Sequence, residues 1–187
     1  NRRYEDRIIQ YQETVRSGRI GDVTMINADF FKAIPAPGFR AEMAHPLLMD
    51  MAIHSFDQAR FISGREPVSV YCYEWNPQDS WFKHGASAVA VFRMTDGAVF
   101  TYRGCWCARG LSTPWACCWR TLGTEGSATW DGEEEVRCQK AYFTESGDYK
   151  IEDAAPAAVK QIAHKGQAGV IREFLDCVKD GGTPQTV

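Results

Sequence analysis

Five segments between residues 68 and 130 have the composition of β-strands, and short turn sequences separate each from the next. They are Val68 to Trp75, Ala86 to Met94, Ala98 to Trp106, Trp115 to Leu122 and Ser127 to Trp130. The turns fall at Asn76-Pro77, Asp96-Gly97, Gly123 and Asp131-Gly132. These residue types reverse a chain because Gly, Asn and Asp tolerate left-handed backbone and Pro fixes φ. Thr95-Asp96-Gly97 between two β-rich runs is a hairpin signal. Strands joined by tight turns pair antiparallel, since a parallel pair needs a long crossover. Val136 to Phe143 adds one or two further strands, and Asp22 to Lys32, with Val23, Met25 and Phe30-Phe31, is an earlier one.

Helical patterns stand before and after this β-rich stretch. Residues 3–17 read as a helix with a loose apolar stripe of Tyr4, Ile8, Ile9 and Val15, ended by Gly18. A second runs from about Pro46 to Ser63; Pro46 suits the first turn and Gly64 the position past the end. A last helix covers about Ala168 to Lys179, with Val170, Ile171, Phe174, Leu175 and Val178 on one face and Gly181-Gly182 stopping it. Ala33 to Phe39, marked by Pro35, Pro37 and Gly38, and residues 153–167 read as loops. This order predicts an α+β domain: a large, open, mostly antiparallel sheet with helices packed on one face. A chain of 187 residues supports one such domain with a sizeable core.

Charge and composition exclude several function classes. The net charge is −3 and the basic residues are scattered, which argues against nucleic acid as a partner. No apolar run is long enough to span a bilayer, and no signal-peptide pattern opens the chain, so no membrane partner is expected. The first residue is Asn1 rather than Met, so a fragment of a longer polypeptide is expected. Seven cysteines are an odd number without a disulfide-framework spacing. Cys105-x-Cys107 and Cys117-Cys118 have no nearby His to complete a metal site. The thiols therefore read as reduced and structural, which favours a cytoplasmic setting.

The chemistry concentrates on the second helix, in His45-Pro-Leu-Leu-Met-Asp50-Met-Ala-Ile-His54-Ser-Phe-Asp57. Leu47, Leu48, Met51, Ile53, Phe56, Ala59 and Ile62 make this helix apolar nearly all round, which predicts burial. Asp50, His54 and Asp57 stand at i, i+4 and i+7, within an arc of about 60° on a regular helix. A titratable stripe on a buried helix has two readings. In one, Asp57 pairs with Arg60 or Arg65 and His54 is a hydrogen-bonded core histidine. In the other, the stripe faces a pocket, Asp50 orients His54 and raises its pKa, and the free ring nitrogen exchanges a proton with substrate. Oxidation of an alcohol needs such a base. A metal held by Asp50 and His54 is a third reading, with His45 the one nearby candidate for a third ligand.

Five stretches in order resemble the C-terminal domain of the Gfo/Idh/MocA oxidoreductases, the glucose-fructose oxidoreductase and inositol dehydrogenase group. They are Arg16-Ser-Gly-Arg-Ile-Gly21-Asp-Val, Leu48-Met-Asp50-Met-Ala-Ile-His54-Ser-Phe-Asp57, Phe61-Ile-Ser-Gly64-Arg-Glu-Pro67-Val-Ser-Val70, Gly123-Thr-Glu-Gly126-Ser-Ala-Thr-Trp130 and Gly169-Val-Ile-Arg-Glu-Phe174. The resemblance implies a single substrate-binding and oligomerisation domain over 1–187, with 1–21 as a junction helix after a dinucleotide-binding Rossmann domain absent from this chain. It implies NAD or NADP in the full-length protein and none held by these residues alone, which should not turn over by themselves. It implies a sugar, inositol or related polyol as substrate, with His54 as acid/base and Asp50 as its partner. Asp57, Arg3 and His45 are then substrate-binding or supporting. Many relatives carry a second His after the first; here Ser55 stands in its place.

The six tryptophans read mainly as packing residues, with sugar stacking as the other reading. Period-2 spacing puts Trp115, Cys117, Trp119 and Thr121 on one face and Ala116, Cys118, Arg120 and Leu122 on the other. Neither is cleanly polar, so both faces are expected to be covered and the chain to be a homo-oligomer through its sheet. The rival function from another class is a non-catalytic module that binds a ligand or partner on that open sheet.

Overall fold

The computed structural model describes residues 1–35 and 38–185. Pro37, one of the loop markers, lies outside them. The elements in chain order are α1 (Asp6–Arg16), β1 (Val23–Phe31), a π-helical segment (Leu47–Ala52) running into α2 (Ile53–Ser63), β2 (Pro67–Trp75), β3 (Ser87–Met94), β4 (Val99–Cys105), β5 (Cys118–Gly123), β6 (Gly126–Trp130), β7 (Val136–Phe143), β8 (Tyr149–Ala154) and α3 (Gly166–Asp180). One eight-stranded sheet has the order β2-β3-β4-β1-β5-β6-β7-β8. All neighbouring pairs are antiparallel except β1 with β4. The parallel pair arises because α2 and the β2–β3 hairpin intervene between those two strands, which is the long crossover that parallel pairing needs. The expected α+β architecture is therefore present, and no Rossmann unit is evident among the described residues.

Local chemistry accounts for the turns. Asp96 and Gly97 both have positive φ, 57° and 77°, as a tight hairpin between β3 and β4 demands. Gly64 closes α2 in the left-handed conformation at φ 69°, its N–H donating to the Arg60 carbonyl at 2.7 Å. In the β5–β6 hairpin, Gly123 and Gly126 face each other. A Cβ on Gly123 would stand 2.1 Å from the Ile20 carbonyl oxygen, and one on Gly126 2.1 Å from that of Gln139. The glycine motif there is a packing requirement of two close backbones.

One face of the sheet carries the core. Ile26, Ala28 and Phe30 of β1, Phe100 and Tyr102 of β4, Trp119 and Thr121 of β5, and Ala128 and Trp130 of β6 alternate inward. Ile8, Tyr11 and Val15 of α1 and Ala59 and Ile62 of α2 are buried with them. The Tyr11 hydroxyl reaches Thr121 Oγ1 at 2.8 Å and donates to the Ala128 carbonyl at 3.2 Å, which lets a tyrosine sit fully buried. The seven cysteines are free thiols. No helix among the described residues is long and apolar enough to cross a membrane.

Three sequence expectations need correction. Residues 149–154 form β8, so the segment expected to be loop from 153 begins inside a strand. Its composition, Tyr-Lys-Ile-Glu-Asp-Ala, alternates too weakly to mark it, and pairing with β7 decides. The two faces of β5 are unlike: Cys117, Trp119 and Thr121 are buried while Arg120 is exposed. The last helix does not bury its apolar stripe; Ile171, Phe174, Leu175 and Val178 are exposed. It docks at Gly169, where a Cβ would stand 2.6 Å from Tyr4 Cγ, and Tyr4 also donates to Glu173.

Candidate active site

The helix that carries the titratable residues changes pitch between the first and second of them. His45 has φ 53° and Pro46 opens the segment, after which Leu47–Ala52 is π-helical and Ile53 begins regular α-helix. A π turn takes more residues than an α turn, so the constant advance that placed Asp50, His54 and Asp57 on one edge does not hold across Ile53. The three side chains go to three places.

Asp50 meets Arg40: Nε donates to Oδ2 at 2.6 Å and Nη2 to Oδ1 at 3.3 Å. No hydrogen bond joins Asp50 to His54 among the described residues. Asp57 accepts from Arg3, Nε to Oδ2 at 2.7 Å and Nη2 to Oδ1 at 2.5 Å, rather than chiefly from Arg60 or Arg65. Arg60 instead pairs with Glu66 at 2.6 Å. His45 Nδ1 sits 2.5 Å from Glu74 Oε2, on the β2 side of the domain.

His54 alone of the three lines a cavity of about 660 Å³. Its other walls include Arg2 and Glu5 before and on the rim of α1, Gln58 one turn further along α2, Trp115 and Ala116 ahead of β5, Trp130 at the end of β6, and Lys165 ahead of α3. Asp50, Asp57, Arg3 and His45 are not lining residues. The rim is tied together by charge. Asp6 accepts from the Ile162 N–H at 3.0 Å and from Lys165, which holds its carboxyl below the usual carboxylate range. Arg7 Nε donates to Glu134 Oε2 at 3.0 Å. Arg2 Nη1 donates to the Trp115 carbonyl at 2.6 Å, fixing the indole-bearing loop over the site. Trp115 itself is 45% exposed, whereas Trp106, Trp119 and Trp130 are core residues.

The electrostatics oppose the expectation from sequence. Burial first, then the positive charge of Arg2, hold the His54 imidazole below its ordinary value of 6.5. Asp50 and Asp57 push the other way but do not win. His54 is thus a neutral imidazole at pH 7, ready to accept a proton. Ser55, where many relatives carry a second His, turns away from this cavity. It is buried with Oγ 3.1 Å from Cys117 Sγ, a thiol that burial pushes up to about 12.

Reading the sequence missed Arg2, Glu5 and Gln58. Gln58 was detectable in principle, since it lies at i+4 from His54 on an otherwise apolar helix. Arg2 gave no local signal. No group of three or more metal-ligating side chains occurs among the described residues.

The sequence profile described as the GFO/IDH/MocA C-terminal domain matches residues 8–129. The chain belongs to that family. An uncharacterised protein, y4oX, of Sinorhizobium fredii is 32% identical over 120 residues, covering 63% of this chain and 33% of that protein. The inositol 2-dehydrogenase of Rhizobium meliloti is 36% identical over 70 residues, covering 37% of this chain and 21% of the enzyme. An oxidoreductase from Agrobacterium radiobacter, solved in complex with NAD+, L-tartaric acid and magnesium, superposes with a TM-score of 0.76 at 18% identity. That match covers 98% of this chain and 55% of the solved one, and at this identity it speaks to the fold. The chain thus spans about a third or less of those curated relatives and about half of the solved relative.

Proposed function

We propose that this chain is the substrate-binding part of a nicotinamide-dependent oxidoreductase acting on a sugar, inositol or related polyol, with His54 as acid/base at the reacting hydroxyl. The observation that carries this reading is a half-buried imidazole, favoured in its neutral form, on the wall of a cavity large enough for a monosaccharide-sized ligand. The inositol 2-dehydrogenase among the relatives supports the substrate class.

In this reading the substrate hydroxyl donates to an imidazole nitrogen of His54, which takes the proton as the carbon is oxidised. NAD or NADP, held by a preceding dinucleotide-binding domain, supplies the hydride acceptor. The residues present fit such a division of labour: they offer a base and a polyol-sized cavity. Arg2 keeps the imidazole neutral before the proton moves. Asp50 acts on His54 through its negative field rather than by contact, while Arg40 holds it in place. Trp115 offers an apolar plane for a sugar face. Asp57 supports the site by fixing Arg3, next to Arg2. His45 supports it from outside, bracing the entry to the helix against Glu74.

The test is reduction of NAD or NADP by a panel of polyols and sugars with the full-length protein. Absence of turnover across the panel would remove the reading. The ascending limb of kcat/KM is expected to report a base that titrates below 6.5, because the free enzyme's His54 loses its proton early. Replacing Arg2 by glutamine removes the second cause of that shift, so the limb moves to higher pH. A limb above 6.5 that ignores Arg2 would assign the base elsewhere.

We also propose self-association through the sheet. Tyr71, Tyr73 and Trp75 of β2 and Val89 and Val91 of β3 are exposed on one face of the sheet, Tyr71 paired with Val91 and Tyr73 with Val89. A contiguous apolar sheet surface favours burial against another copy. Light scattering of the full-length protein is expected to give a dimer or larger; a monomer at high concentration would refute this.

A further inference from the structure

Gln58 is 1% exposed, and neither its Nε2 nor its Oε1 has a hydrogen-bond partner among the described residues. It nevertheless lines the cavity that His54 lines, one helical turn away on the same face of α2. A buried carboxamide with both ends unmet is costly, and native interiors rarely tolerate one without a reason. The neighbouring positions show that α2 does not need a polar side chain there. Ala59 and Ile62 are fully buried apolar residues, and Ser55 finds Cys117. Among the described residues the amide is thus the one polar group of the buried face of this helix left unsatisfied, and it lines the same cavity as His54.

We infer that Gln58 is a specificity-determining residue that reads two hydroxyls of the ligand, its Nε2 donating to one and its Oε1 accepting from the other. The inference rests on the polyol reading of the His54 cavity and adds to it the group that selects the ligand. The chemistry follows from the amide itself. It offers a donor and an acceptor about one side-chain width apart, and hydroxyls on adjacent carbons supply the matching acceptor and donor. A carboxylate supplies only acceptors and an ammonium only donors, so neither satisfies both ends. Because the amide has no other partner, a ligand that lacks one of the two hydroxyls leaves a buried polar atom unmet. A site of this kind rejects such an analogue far more strongly than an apolar pocket rejects an extra methylene.

The two roles of this side chain separate by substitution. Gln58→Leu keeps the volume and removes the amide. The full-length protein with this change is expected to melt several degrees higher, since an unsatisfied buried group is gone. The same variant is expected to bind polyol about 10- to 100-fold more weakly, as two net hydrogen bonds are lost. The measurements are thermal unfolding without ligand, and calorimetric titration with myo-inositol, D-glucose and their monodeoxy analogues in the presence of NADH or NADPH. With the wild-type protein one deoxy analogue should lose most of its affinity, and with Gln58→Leu the parent and that analogue should converge. A lower melting temperature for Gln58→Leu would show that the amide has a structural partner and would overturn the inference. So would unchanged affinity, which is the result expected if the amide is met by a buried water. In both those cases His54→Ala still lowers turnover by about 10²–10⁴-fold if the polyol reading is right. Failure of the wild-type protein to bind any of these polyols overturns both.

Discussion

Replacing His54 by alanine in the full-length protein is expected to lower kcat with the polyol substrate by about 10²–10⁴-fold, the usual worth of general acid–base catalysis. The size of the effect follows from where the residue stands. His54 is neutral at pH 7 because burial and Arg2 hold its imidazole down, and both causes belong to the cavity rather than to a partner carboxylate. No carboxylate contact of its own survives to take over the proton, since Asp50 is held by Arg40 and Asp57 by Arg3. Glu5 lines the cavity and can at best act weakly in its place. The loss should therefore fall on kcat more than on KM, and the ascending limb of the pH profile should vanish with the residue. Steady-state kinetics across pH 5 to 9 read both effects. Thermal unfolding should change little, because the ring is half-exposed and makes no hydrogen bond among the described residues. Near-normal kcat in a well-folded variant would take His54 out of the mechanism.

How much of this was legible in the sequence differs by element. The strands announced themselves through β-branched and aromatic runs broken by Asn-Pro, Asp-Gly and Gly turns, because those turns have few backbone solutions. Asp96-Gly97 gave both the hairpin and its positive φ values. Gly64 likewise gave the end of α2. The parallel pairing of β1 with β4 was not legible, since it depends on which edge a strand finds after a long excursion, and no local residue encodes that. In the site, the residue type of His54 was readable and its surroundings were not. Spacing arithmetic assumed an even helix, and the π turn through Asp50 broke the assumption. Arg2 and Trp115 lie 52 positions before and 61 positions after His54 in the chain, and only folding brings them to one cavity. The family resemblance pointed to α2 because its wording is local. It did not contain the partners of Asp50 and Asp57, which come from Arg40 and Arg3.

Asp57→Ala is expected to cost about 2–3 kcal/mol of stability, the larger part through what it does to Arg3. That guanidinium is 9% exposed and donates two hydrogen bonds to the Asp57 carboxylate, with the Phe61 ring 5.5 Å away. Without the carboxylate, the remaining acceptor is the Gln185 carbonyl at 3.4 Å, while Arg60, 4.0 Å from the lost oxygen, keeps its own partner in Glu66. Breaking a fully buried pair costs roughly 3–5 kcal/mol; Asp57 is 28% exposed, so water reaches the broken pair and lowers that figure. Replacing both partners, Arg3→Met with Asp57→Leu, removes the stranded charge and should recover most of the loss. The double change is therefore expected to be far less destabilising than the sum of the single ones, with a coupling of about 1–2 kcal/mol. Urea unfolding of the four proteins at constant m measures it. The functional consequence separates this pair from an ordinary surface bridge. Arg3 adjoins Arg2, whose charge and contact with the Trp115 carbonyl shape the His54 cavity, so a loosened Arg3 should raise KM for the polyol, and loss of the Asp57 charge, which pushes the His54 pKa up, should move the acidic limb to lower pH even where the protein stays folded. If the single changes add without coupling and KM does not move, Asp57 is neither the clamp on Arg3 nor a support of the site.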